Sequence, residues 1–189
     1  MTQIIGGMAS GIKLNVPAGN SVRPSLASSR KALFDSIGPL NSMYFVDVFA
    51  GSGAMGLEAA SRGAKKVLFI EKSAKFADGI NSNIEKVRKA GVDSEMLVVT
   101  SDILDMAGRL ESMGSPDFVF CDPPYAESAD YFRRIIDDAK FAKCFGKSIL
   151  IWEFPNEKGF KFPLLSSEFW KLVKKRNFGG AEFVFMRCN

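Results

Sequence analysis

The chain has 189 residues, 47% of them hydrophobic and 24% charged, the composition of a soluble globular protein with one main domain. It contains no histidine, which excludes a histidine general base, a Ser-His-Asp triad and histidine-ligated metals. The net charge of +4 is uneven, with four basic and one acidic residues over 1–45, fourteen and seventeen over 46–153, and seven and three over 154–189. The two basic ends read either as solubilising surface or as a patch that attracts phosphates.

Cys121, Cys144 and Cys188 are odd in number and lack C-x-x-C spacing, so neither a disulfide framework nor a zinc site is expected. A reducing cytoplasm fits. No charged and apolar leader opens the chain and no apolar run approaches roughly twenty residues, so export and membrane spanning are not expected.

In chain order, Gln3-Ile4-Ile5-Gly6-Gly7 and Gly11-Ile12-Lys13-Leu14-Asn15-Val16 are β-prone segments around a small-residue turn, which predicts a β-hairpin extension. After Arg23-Pro24, residues 28–37 place Leu33, Phe34 and Ile37 on one helical face, with Ser28 or Ser29 as cap and Gly38-Pro39 as stop. Arg30 and Lys31 are then expected to face outward, onto solvent or nucleic acid.

Met43-Tyr44-Phe45-Val46 reads as a buried strand leading into Asp47-Val48-Phe49-Ala50-Gly51-Ser52-Gly53-Ala54-Met55-Gly56 and a helix start. Glycines at 51 and 53 allow a tight turn and close approach of a ligand, and a helix N-terminus offers unpaired N–H groups. A G-x-G-x-x-G match alone also fits dinucleotide enzymes. Its neighbours narrow the choice. Asp47 stands four residues before Gly51, placed to accept from a ligand ammonium. Glu71 ends the apolar strand Val67–Ile70, where an acid holds ribose hydroxyls. A nucleoside carrying an amino acid, such as S-adenosylmethionine, matches both.

Ser73 reads as the N-cap of a helix with Phe76, Ile80, Ile84 and Val87 on one face and Gly91 as stop. Met96–Thr100 is the next strand, and Asp102 behind it is either an N-cap or an acceptor for an adenine amino group. Asp117–Cys121 is the fourth strand, a helix is expected from Tyr131, and Lys147–Glu153 is the fifth strand. Trp170–Arg176 and Ala181–Met186 flank Gly179-Gly180 as a closing antiparallel hairpin. Strands apolar throughout, alternating with helices, predict an α/β fold with a parallel sheet covered on both faces and ligands at the carboxyl ends of its strands.

The fourth strand ends in Asp122-Pro123-Pro124-Tyr125. Two prolines restrict the backbone and remove two donors, leaving a carboxylate, a carbonyl and an aromatic ring at the ligand edge. That set suits an exocyclic amine on a base. Two acceptors holding its hydrogens let the nitrogen aim its lone pair at a sulfonium methyl, while the ring of Tyr125 stacks on the base.

On these motifs, together with Ile4-Ile5-Gly6-Gly7, Arg23-Pro24, Gly63-Ala64 and Met186-Arg187, the chain resembles the RsmD-like bacterial 16S ribosomal RNA guanine-N2 methyltransferases. The resemblance implies a three-layer αβα class I S-adenosylmethionine-dependent fold, Rossmann-like, with a seven-stranded sheet whose last hairpin contains the only antiparallel strand. It implies a β-hairpin and helix extension over 1–40 and a methyltransferase domain over 41–189. S-adenosylmethionine is expected along Asp47, Phe49, Gly51, Ser52, Gly53, Glu71, Lys72, Asp102 and Ile103, with the target base at Asp122, Pro123, Pro124 and Tyr125. RNA contacts are expected from Lys13, Arg23, Arg30 and Lys31, with 16S RNA or the small ribosomal subunit as partner. A cytoplasmic monomer without metal or membrane is implied. One departure stands out, because relatives usually read R-P-T-x-D-R-x-R-E where this chain has Arg23-Pro24-Ser25-Leu26-Ala27-Ser28-Ser29-Arg30-Lys31. The Asp-Arg pair and the Glu are replaced, so RNA contacts there are expected to differ. Three other readings stay open. A DNA adenine-N6 methyltransferase shares the chemistry, an NAD-dependent oxidoreductase leaves Asp47 and D-P-P-Y unexplained, and a non-catalytic RNA-binding protein leaves Asp122 and Tyr125 without a role.

Overall fold

A computed structural model of the chain describes residues 2–17, 27–155, 167–178 and 180–189. Arg23, Gly179 and the connection over 156–166 lie outside the described residues. Strands β1 (Tyr44–Val48), β2 (Lys66–Glu71), β3 (Glu95–Thr100), β4 (Phe118–Cys121), β5 (Ile149–Pro155), β6 (Trp170–Phe178) and β7 (Ala181–Cys188) form one sheet in the order β3-β2-β1-β4-β5-β7-β6. Among the described residues, only β7 runs against its neighbours. The parallel strands β1, β2 and β4 are apolar, apart from Asp47 in β1 and the terminal Lys66 and Glu71 of β2, because each is buried on both faces. The edges differ, β3 being partly exposed and β6 carrying Lys171, Lys174, Lys175 and Arg176, charges that discourage edge pairing.

Side-chain alternation along the strands divides the interior into two cores. On one face Phe45, Phe69, Phe120, Ile151 and Phe183 pack with helices α1 (Ala27–Ile37), α2 (Ala54–Ser61) and α3 (Ala74–Lys89). On the other, Val46, Leu68, Val119, Cys121 and Trp152 meet α4 (Ala107–Leu110), α5 (Tyr125–Ile136) and α6 (Ala139–Phe145). This three-layer arrangement is the one the resemblance implied.

Several local expectations are corrected. The amino-terminal hairpin shortens to a single antiparallel bridge, Gln3 with Lys13, flanked by Ile4 N–H to Ile12 O and Leu14 N–H to Thr2 O. Its anchor lies elsewhere, since buried Glu58 of α2 accepts the N–H groups of Ile5 and Gly6, both at 2.8 Å. Ser28 and Ser29 lie inside α1 instead of capping it, and the Ser29 hydroxyl donates to Phe178 O of β6 at 2.9 Å. Ser73 holds the N-cap position of α3 without a side-chain bond. Helix α5 starts at Tyr125, six residues early, because Pro124 supplies an extended N-cap whose carbonyl accepts the Glu127 N–H at 2.9 Å. Helix α6 and the short turns after Asp102 span two helical turns or fewer, too short to show a periodicity.

Candidate active site

The turn after β1 is built from three unusual backbone positions. Phe49, Gly51 and Gly53 have φ of 63°, 55° and 76°, which glycine adopts without strain and phenylalanine does not. The turn is closed by Ala50 N–H to Ile70 O at 3.1 Å and Gly53 N–H to Ala50 O at 2.7 Å. Gly56 answers a different need, because a Cβ there would stand 2.3 Å from Phe69 Cε1 and push α2 off the sheet.

Since the N-cap of α2 is a glycine, the cap is supplied from the strand. Asp47 Oδ2 accepts the Gly56 N–H at 2.8 Å, placing a carboxylate at the positive end of the helix. One of the first-turn donors expected for a ligand is therefore used by the protein. Asp47 is 2% exposed, and burial pushes its pKa well above the usual carboxylate value, against the Gly56 bond and with help from the charges of Asp122 and Glu71.

At the end of β2, Glu71 Oε2 accepts the Gly51 N–H at 2.7 Å and Oε1 accepts the Ser73 N–H at 2.8 Å. That second bond fixes the N-cap residue of α3 to the end of β2. Beyond β3, Asp102 Oδ1 accepts the Leu104 N–H at 3.1 Å, while Oδ2 accepts from Lys72 Nζ at 3.0 Å and Tyr131 Oη at 2.9 Å. Burial raises the Asp102 pKa, but these three donors outweigh it and leave the group below its ordinary value. Tyr131 also meets Phe49 edge to face, with ring centroids 4.8 Å apart.

Asp122 follows β4 directly, with Pro123 buried behind it and Tyr125 half-buried on the first turn of α5. Most of these groups line one cavity of about 920 Å³ at the carboxyl ends of the parallel strands. Asp47, Phe49, Gly51, Ser52, Glu71, Lys72, Asp102 and Ile103 border it, as do Asp122, Pro123, Pro124 and Tyr125. Gly53 does not, and instead packs against Ile80 behind the wall.

The basic residues proposed for RNA separate. Lys13 is exposed, Lys31 is exposed and paired with Asp35, and Arg23 lies outside the described residues. Arg30 does not face outward. It is 2% exposed, donates to Gln3 O, and has Nε 3.6 Å from the buried carboxylate of Glu58. Its position on α1 explains this, because the helix lies over the amino-terminal segment and Glu58, whose carboxylate it shares with Arg62. Burial nevertheless lowers the Arg30 pKa, against the attraction of Glu58.

Sequence reasoning missed Tyr131 and Glu153, both in the cavity wall. Glu153 carried the same signal as Glu71, an acid closing an apolar strand at the sheet's ligand edge. Tyr131 carried none, since only the fold brings it 2.9 Å from Asp102.

The family described as conserved hypothetical protein 95 matches residues 2–187. The chain is similar to ribosomal RNA small subunit methyltransferase D of Haemophilus influenzae, 29% identical over 179 residues that cover 94% of this chain and 89% of that one. It is also similar to the protein of that name from Escherichia coli K12, 37% identical over 125 residues covering 65% of this chain and 60% of that one. Among solved structures, a hypothetical protein of Thermus thermophilus superposes with a TM-score of 0.75 at 30% identity, with 99% of each chain covered. The carboxylate-lined cavity, the sheet order and the match along nearly the whole length agree, and the chain belongs to the conserved hypothetical protein 95 family, the RsmD-like S-adenosylmethionine-dependent methyltransferases.

Proposed function

We propose that this protein methylates the exocyclic N2 amine of a guanine in small-subunit ribosomal RNA. The observation that carries the reading is the position of Asp122, which opens from β4 into the same cavity as Asp47 and Glu71. A methyl donor held by one set and an amine held by the other meet within one enclosed space. The relatives named for ribosomal RNA small subunit methylation supply the substrate class.

The residues present fit S-adenosylmethionine. Asp47, Glu71 and Asp122 are close enough that the charges of the other two raise the pKa of Asp47, so a cationic ligand is favoured there. Asp47 would hold the ammonium, Glu71 the ribose hydroxyls and Asp102 the adenine amine, with Phe49 and Ile103 against the ring. When bound, the cofactor supplies an electrophilic methyl group on a sulfonium. The Asp122 carboxylate and Pro123 carbonyl accept the two hydrogens of the substrate amine, orienting its lone pair, and Tyr125 stacks on the base. Asp122 or water would take the proton that the amine gives up on receiving the methyl group.

The basic ends of the chain are neighbours in the fold, since α1 is bonded to β6 through Ser29 and Phe178. Lys13, Lys31 and the β6 cations form the proposed phosphate-contacting surface, with Arg30 buried in the cavity wall beside Glu58 instead. The expected setting is the cytoplasm, where the ribosome is assembled. Among the described residues, no helix is long and apolar enough to cross a membrane.

The test is incubation with methyl-labelled S-adenosylmethionine and, separately, unmodified small subunits, protein-free 16S RNA and duplex DNA, followed by mass spectrometry of the nucleosides. N2-methylguanine from RNA or subunits is expected. Label in N6-methyladenine from DNA would transfer the same chemistry to another substrate.

A further inference from the structure

Glu153 is a carboxylate of the cavity wall that the reaction as described does not use. It is 5% exposed, and its Oε2 is buried without a hydrogen-bond partner. Such a group destabilises the fold unless something is brought to it. It borders the cavity together with Phe120, Gly180 and Ala181, on the side of Asp122 and Tyr125.

The sheet register places it. The last paired residues of β4 and β5 are Cys121 and Trp152, so Asp122, just past the end of β4, comes beside Glu153 of β5, and its charge acts on the Glu153 carboxyl. Adjacent strands lie about 4.8 Å apart, and both residues border the same cavity. Two carboxyl groups thus stand side by side at the base-binding end of the cavity, one exposed to it and one buried in its wall.

Among the amino-bearing bases, only guanine has a ring N–H next to its amine. Adenine and cytosine present a bare ring nitrogen there, which is an acceptor. We propose that Glu153 is a specificity-determining residue that pairs with the N1–H and O6 edge of the target guanine while Asp122 holds the N2 amine. This rests on the guanine-N2 reading of the site. A carboxyl group accepts from N1–H, and in its neutral form it also donates to O6, making two parallel hydrogen bonds like those of a carboxylic acid with a lactam. Burial, with the charge of Asp122, raises the Glu153 pKa and favours that neutral form. Before substrate arrives Oε2 has no partner, and guanine supplies one.

The test compares small subunits whose RNA carries either guanine or 2-aminopurine at the position that wild-type protein methylates. 2-Aminopurine keeps the amine but has a bare N1 and no O6. Wild type should favour guanine by about 10- to 100-fold in kcat/KM, the range for leaving a buried hydrogen-bonding group unpaired. Glu153→Met, apolar and of similar volume, should bring that ratio to within about threefold of unity, whereas Glu153→Gln, which offers the same acceptor and donor pair, should keep most of it. A ratio is insensitive to the fraction of folded protein, and binding of S-adenosylmethionine should be retained by both variants. Equal turnover of the two bases by wild type, or a Met variant that slows both equally, would overturn the assignment of Glu153. Absence of N2-methylguanine with wild type is a different result, and it removes the underlying functional reading instead.

Discussion

Glu71 Oε2 accepts the backbone N–H of Gly51 at 2.7 Å, joining the end of β2 to a turn twenty residues earlier. The residue thereby shapes the cavity wall, because its other oxygen holds the Ser73 N–H and so the start of α3. Glu71→Ala should weaken S-adenosylmethionine binding by roughly 1–3 kcal/mol, read by titration calorimetry. Glu71→Gln should be nearly as harmful, since its amide nitrogen would face one of two N–H donors. An unchanged dissociation constant in both variants would place the ribose elsewhere.

Asp122 follows the carboxyl end of β4, while the N–H groups of Gly51 and Gly56 are held by Glu71 and Asp47. Asp122→Ala should therefore abolish methyl transfer in single-turnover assays while cofactor affinity changes by less than about tenfold, or roughly 1.4 kcal/mol. Turnover at the wild-type rate would end its proposed role.

Arg30 and Glu58 are both buried, and Glu58 also holds Arg62 at 2.7 Å and the N–H groups of Ile5 and Gly6. Arg30→Met should destabilise the protein by roughly 3–5 kcal/mol in urea unfolding, because it leaves part of a buried charge uncompensated. It should leave the salt dependence of RNA binding unchanged. Lys13→Ala and Lys31→Ala should instead lower the salt slope with little effect on stability. The reverse pattern would return Arg30 to the RNA surface.

Glu153 makes stability depend on pH with a definite sign. Its folded pKa lies above the ordinary 4.5, so native protein retains a proton that the unfolded chain releases. The resulting stabilisation is complete below about pH 4.5 and is lost as pH rises through the folded value. Glu153→Gln does not titrate, so its melting temperature relative to wild type should climb between acid and neutral pH. A difference that is flat with pH would show that the carboxyl is not perturbed.

The amino-acid sequence by itself determined the parallel core, the glycine turn and the positions of Asp47, Glu71, Asp102 and Asp122. Strands buried on both faces must be apolar throughout, so an acid or a glycine at the end of such a run stands out without any coordinates. Tertiary structure alone decided the rest. Arg30 looks like a surface cation on α1 until that helix is laid over Gln3 and Glu58, contacts 27 and 28 residues away in sequence. Ser29 fits the residue type of a helix cap, yet a bond to Phe178 of β6 claims it. Glu153 becomes meaningful only when β5 is set beside β4, because its neighbour Asp122 follows the end of β4. Local pattern reports what a residue's own element buries, whereas the partner of a charge or hydroxyl is chosen by chain packing between distant elements, which no local period encodes.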